Sequence, residues 1–302
     1  MYAILSLHKL DLLARNDFQA TRQIIPTHPA QKMIDRVIKL HGRSGKASWN
    51  IINWDTLNVS HHNKFDCKMV PFESSVFQKE AEICVHTQQD IISEYIKRDK
   101  RWMDCNILPA LWNESHKFNK DEDHRTPVYL EIGANIGSCV VRVFPVGLGE
   151  KNYTETIYAV KGNLGNSGIG KKVKDWERQK WDESLFYTVN IERLGDILNS
   201  GKVHIRLAKM DAQGFECNIL EGMGAELVST IDILKFEYEE KFLHAHDCHN
   251  LLLRLQDNNF DVFRHFDARA REPFQMSLAR NELPASAVDL FAVRHHSNRL
   301  MV

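Results

Sequence analysis

The chain has 302 residues, 43% of them hydrophobic, enough to bury one large core or a core with a smaller appendage. Its 39 Lys and Arg residues nearly balance 40 Asp and Glu, so no global field draws it to nucleic acid or to an anionic membrane. A small acceptor of neutral or mixed charge is the expected partner. Cys67, Cys84, Cys105, Cys139, Cys217 and Cys248 form no CxxC pair and no dense framework, which fits reduced thiols in a cytoplasmic compartment. The apolar start from Met1 to Leu7 is broken by His8 and Lys9. It is too short to span a bilayer and lacks the basic region and cleavage site of a signal peptide, so no membrane segment is visible.

Taken in chain order, the first elements are weak. Up to about Lys39, Leu5, Leu12 and Leu13, then Met33, Val37 and Ile38, stand at spacings a helix face allows, separated by the breaker run from Ile25 to Pro29. His41 to Lys68 is polar and reads as loop or short edge strands. Ile83 and Val85, followed by Ile91, Ile92, Tyr95 and Ile96, predict a strand and then a short helix. The charged run from Asn119 to Arg125 reads as a linker and sets the expected boundary between an N-terminal helical or irregular extension, residues 1–125, and a domain over residues 126–302.

Beyond the linker, strand and helix patterns alternate, predicting an α/β sheet. Apolar runs at Val128 to Ile132, Val143 to Gly147, Ile205 to Met210 and Ile231 to Tyr238 are the expected strands. Phe215 to Val228 places Ile219, Leu220, Met223 and Leu227 on one helix face, and His249 to Gln256 does the same with Leu251, Leu252 and Leu255. Phe260 to Phe266 and Ala287 to Arg294 read as final strands able to pair antiparallel.

Three segments carry chemistry. In YLEIGANIGSCV, from Tyr129 to Val140, a strand runs into a turn with Gly133, Asn135 and Gly137. Glycines there let the backbone turn sharply and let a nucleotide-bearing ligand approach it, although the same pattern also serves as a plain strand-to-loop connection. Glu131 favours a cofactor with a cationic end, which a dinucleotide lacks. In LAKMDAQGFECNILEGM, from Leu207 to Met223, a strand ends at Asp211, turns at Gly214 and enters a helix near Glu216, whose charge also suits the helix dipole. In ILKFEYEE, Glu237 interrupts an apolar strand and is either an edge position or a third carboxylate at the crevice where strand ends converge.

The order EIGANIG, VFPVGLGE, GNLGNSGIG, VNIERLGDIL, KMDAQGFECNILEGM, ILKFEYEE resembles the FkbM-type methyltransferases over roughly Pro127 to Phe263. The resemblance implies a class I, Rossmann-like methyltransferase sheet and transfer of a methyl group from S-adenosylmethionine (SAM) to an oxygen of a small molecule or carbohydrate. It places Glu131, Gly133, Asn135 and Gly137 in the cofactor loop, Asp211 at the reaction centre, and Glu216 and Glu237 beside it.

Two departures stand out. The family's KIDVEG pattern has Glu where this chain has Gln213. The family also follows its Gly-rich turn with a helix, a strand ending in a carboxylate that grips the SAM ribose, and another helix. Here only Ser138 to Arg142 separate Gly137 from Val143, too few for a parallel crossover. The sheet is therefore expected to be incomplete, with Glu150 as the candidate substitute for the ribose carboxylate. An inactive methyltransferase-fold relic serving as an interaction module is the alternative function. FLHAHDCHN, from Phe242 to Asn250, gathers His244, His246, Asp247, Cys248 and His249, but at a strand-to-helix junction it reads as loop and capping chemistry, with Asp247 a candidate N-cap, and no metal site is expected.

Overall fold

The computed structural model describes residues 67–73, 80–86, 91–117, 125–133, 147–160, 168–169, 181–198, 200–240, 243, 248, 250–279, 282 and 288–295. The expected N-terminal helices, the polar stretch after them and most of the charged linker lie outside these residues. Strands β1 (Cys67–Glu73) and β2 (Glu80–His86) form an antiparallel pair, and helix α1 (Ile91–Asp99) follows, as the spacing of Ile92 and Ile96 predicts. Helix α2 (Leu108–Ser115) comes next, with Pro in its first turn, where the missing N–H costs nothing.

Residues 126–294 supply two sheets. The first contains β3 (Thr126–Ile132), β8 (Val203–Met210), β9 (Ile231–Tyr238), β10 (Phe260–Phe266), β11 (Phe274–Ser277) and β12 (Val288–Arg294), in the spatial order β11-β10-β12-β9-β8-β3. β3, β8 and β9 run parallel, with Leu207 opposite Ile233, whereas β12, β10 and β11 each pair antiparallel. The parallel strands are apolar nearly throughout because both of their faces are covered. Helix α4 (Glu216–Val228) makes the crossover from β8 to β9, as expected. It is broken at Gly224, whose φ of 71° and ψ of 160° are not helical.

One face of this sheet packs Val128, Leu130, Ala208, Met210, Leu234 and Phe236 against Ile219, Leu220 and Met223 of α4 and against Leu251, Leu252 and Leu255 of helix α5 (Leu251–Asp257). The opposite face packs Tyr129, Leu207, Ile233 and Phe291 against Leu108, Leu111 and Trp112, which share one face of α2. Arg294 closes the far end. Its guanidinium donates to the carbonyls of Ile231 (2.7 Å), Asn258 (3.1 Å) and Val228, and stacks 4.3 Å from the Phe260 ring centroid.

The second sheet contains β4 (Gly147–Leu148), β5 (Tyr153–Val160), β6 (Gly168–Ile169) and β7 (Trp181–Glu192), ordered β4-β7-β5-β6, with helix α3 (Leu194–Ile197) after it. Of the expected strand from Val143 to Gly147, only Gly147 is among the described residues, and it begins β4. Gly147 pairs with Ile191 in this second sheet and not beside β3. β3 has one strand neighbour, β8, among the described residues.

A correction concerns the thiols. Cys217, in the first turn of α4, and Cys248, after β9, form a disulfide with Cα atoms 5.5 Å apart. Their sequence separation of 31 hides a contact that the β8-α4-β9 crossover creates. Cys248 is thereby withdrawn from metal chemistry, and the N-cap of α5 is Asn250, whereas Asp247 lies outside the described residues. Among the described residues no helix is long and apolar enough to cross a membrane.

Candidate active site

The site lies where β3, β8 and β9 end. Register sets its first row, because Glu131 of β3 stands directly opposite Lys209 of β8, and Lys209 opposite Lys235 of β9. All three side chains are buried. Lys209 Nζ lies 3.6 Å from Glu131 Oε1 and 4.0 Å from Asp211 Oδ2, so its ammonium sits between two carboxylates. Lys235 turns to Asp289 Oδ2 at 2.7 Å. Gly133 closes β3 with φ of 78°, a conformation that favours glycine, and the Asp211 N–H donates to the Ile132 carbonyl at 3.0 Å, which joins the two strand ends.

The turn after β8 builds the second row. Gly214 has φ of 100°, and Gln213, at φ of 51°, occupies the left-handed region without being glycine. That bend brings the Gln213 amide nitrogen within 2.9 Å of both Asp211 Oδ1 and Glu237 Oε2. Glu216 folds back from the first turn of α4, where its Oε1 accepts the Ala212 N–H at 2.9 Å. Burial pushes Glu216 up to about 7, with the charge of Asp211 adding to it and the backbone amides of Glu216, Ala212 and Gly214 opposing. Burial likewise pushes Glu237 up to about 8, and the charges of Asp211, Glu239, Glu216 and Asp289 reinforce it. A carboxyl protonated near neutrality therefore stands beside Asp211, in the range that proton transfer with a substrate hydroxyl requires. Glu216 Oε2 and Gln213 Oε1 are buried with no hydrogen-bond partner among the described residues; the amide oxygen is an acceptor, and the protonated Glu216 carboxyl offers a donor.

Of the residues expected from sequence, Asp211, Glu216 and Glu237 form one constellation, and Glu131 reaches it through Lys209. Glu150 stands apart, because its Oε2 accepts from Asn218 Nδ2 of α4 at 3.0 Å and Lys151 lies 3.7 Å from its Oε1. Asn135 and Gly137 lie outside the described residues. Sequence reading missed Lys209, and it marked Gln213 only as a departure from the family's glutamate. The alternation of β8 was a usable signal for Lys209, which lies two residues before Asp211 on the same strand face. Gln213 carried no such signal, since its role depends on a backbone turn.

Residues 87–262, more than half of the chain, match the family model described as a methyltransferase FkbM domain. No curated protein matches the chain, and no solved structure does. The matched segment contains all three parallel strands, the Gly133 turn and every carboxylate of the constellation, and the chain belongs to the FkbM methyltransferase family.

Proposed function

We propose that the chain transfers a methyl group from SAM to a hydroxyl of a small molecule or carbohydrate, using a class I sheet that lacks its second strand and that strand's flanking helices. The domain assigned to this task is residues 126–302, with residues 1–125 as an extension. The observation that supports it most directly is the constellation of Asp211, Gln213, Glu216 and Glu237 at the carboxyl ends of adjacent parallel strands, the crevice where such sheets bind ligands. The residues suit the cationic end of SAM. Glu131 and Asp211 flank the Lys209 ammonium, and the buried oxygens Glu216 Oε2 and Gln213 Oε1 have no hydrogen-bond partner among the described residues. Gly133, with Asn135 and Gly137 after it in the sequence, is assigned in this reading to the approach of the ligand to the backbone. When bound, SAM supplies an electrophilic methyl carbon.

In this reading the protein positions the acceptor hydroxyl in line with that carbon and takes its proton at Asp211 as the new C–O bond forms and the S–C bond breaks. S-adenosylhomocysteine (SAH) leaves. Glu237 and Glu216 hold protons near neutrality and so keep Asp211 from facing two further charges. For the ribose, the carboxylate assigned in this reading is Glu150, which Asn218 and Lys151 already engage. The test is transfer of isotope-labelled methyl from SAM to a panel of sugars and small hydroxyl compounds. Label should appear in one of them and fall by roughly 100-fold or more in Asp211→Asn.

A second reading, an inactive module that keeps the fold, is favoured by β3 having a single strand neighbour among the described residues. Absence of label in every acceptor, together with absence of SAH binding, decides for it.

A further inference from the structure

The methyltransferase pattern that the chain resembles has a glutamate at the position of Gln213, which would put a fourth carboxylate among Asp211, Glu216 and Glu237. The amide does the opposite. Its nitrogen lies 2.9 Å from Asp211 Oδ1 and 2.9 Å from Glu237 Oε2, so each of its two hydrogens has a carboxylate acceptor on a different strand end. The Asp211 carboxylate fixes its orientation, since turning the amide over would set Oε1 against that carboxylate oxygen. The main chain holds Gln213 at φ of 51°, where side-chain-bearing residues are uncommon, and this conformation folds the amide back toward Asp211, two residues earlier.

We propose that Gln213 is a positioning residue, locking Asp211 of one strand end and Glu237 of the next into a single constellation through the two hydrogens of its amide. The proposal deepens the methyl-transfer reading above, but the hydrogen bonds behind it do not depend on which cofactor binds. The charged groups around the pair are Glu216 from α4, Glu239 beyond β9, Asp289 from β12, which Lys235 engages, and Lys209 from β8, which stands 4.0 Å from Asp211. In that company a neutral double donor is the side chain that joins two carboxylates without adding a charge. It also leaves Oε1, buried and with no partner among the described residues, as an acceptor for a ligand's donor group.

The experiment follows the Glu237 carboxyl by carbon-13 NMR of the full chain labelled in glutamate, with Glu237→Gln identifying the resonance. Wild type is compared with Gln213→Met, which keeps length and shape but removes both donors, and with Gln213→Glu, which restores the family's residue. The Glu237 midpoint should rise by about one pH unit in Gln213→Met and by more in Gln213→Glu, where a charge is added as donors are lost. A residue that merely fills the turn would leave the midpoint of the methionine variant in place. If Gln213→Met does not fold, the glutamate variant decides, with an unshifted midpoint overturning the proposal. SAH titration of wild type runs in parallel. Absence of SAH binding with shifted midpoints overturns the cofactor reading alone, and SAH binding with unmoved midpoints overturns the role of Gln213 alone.

Discussion

Replacing Glu216 by Gln should make the protein more stable above neutrality. The carboxylate belongs to a residue only 2% exposed at the start of α4, and burial raises it from 4.5 to about 7. The unfolded chain releases this proton near 4.5, whereas the folded protein keeps it until about 7, so between those values the folded state binds more protons. Unfolding free energy therefore falls as pH rises through that window, by about 1.4 kcal/mol per pH unit, and the loss is complete above about 7 at roughly 3 kcal/mol.

The glutamine side chain of this variant carries no charge at any pH and keeps a neutral acceptor for the Ala212 N–H, as the protonated carboxyl of wild type does near pH 4.5. The variant should match wild type near pH 4.5 and exceed it by about 3 kcal/mol at pH 8. Urea unfolding followed by circular dichroism across pH 4.5 to 8 reads the difference. A difference that stays flat with pH, or a wild type more stable than the variant at about pH 8, would refute the argument that Glu216 is held in a charge-hostile site.

Reduction of the Cys217–Cys248 disulfide, or Cys217→Ser, should cost about 3 to 4 kcal/mol on the chain-entropy estimate for a separation of 31, seen as a lower urea midpoint with reductant than without it. Gly222→Ala should destabilise by about 1 to 3 kcal/mol, because a Cβ there would sit 1.9 Å from the Gly149 carbonyl oxygen and force α4 away from the second sheet. Thermal unfolding checks this, and an unchanged midpoint would show that the approach of α4 to Gly149 is dispensable. Inserting a helix-strand-helix segment with a strand-end carboxylate between Gly137 and Val143 should tighten SAH binding by one to two orders of magnitude, the worth of a charge-assisted ribose contact at about 2 to 3 kcal/mol. Calorimetric titration of the two proteins compares them.

The parts of the fold legible in the sequence are those whose pattern is local. β8 and β9 are apolar runs closed by Asp211 and Glu237, α4 shows its stripe from Ile219 to Leu227, and β10 and β12 stand as short apolar runs between turns. α2 went unread although Leu108, Leu111 and Trp112 have helical spacing, because Pro109 reads as a breaker anywhere but the first turn. β5 and β7 went unread because Thr154, Glu155 and Thr156, and Asp182, Glu183 and Ser184, dilute the apolar signal of strands paired in a separate sheet.

The site divides in the same way. Asp211 and Glu216 follow from a strand-turn-helix motif, and Glu237 from a charge at a strand end. The pairing of Glu131 with Lys209 depends on cross-strand register, the bridge made by Gln213 depends on a left-handed turn, and the link from Cys217 to Cys248 depends on the crossover, none of which is written in residue spacing.

The most direct test of the central claim, that the crevice at the ends of β3, β8 and β9 receives the cationic end of SAM, is calorimetric titration of SAH into the chain and into Glu131→Ala. In this account the ligand's ammonium meets the carboxylates of Glu131 and Asp211, so wild type should show saturable binding at one site. Removal of Glu131 takes away one of those two carboxylates, and binding should weaken by roughly tenfold or more, the loss of about 1.5 to 3 kcal/mol from a charged contact. No heat and no thermal stabilisation of wild type at millimolar SAH, or equal affinity in the two proteins, would contradict the account.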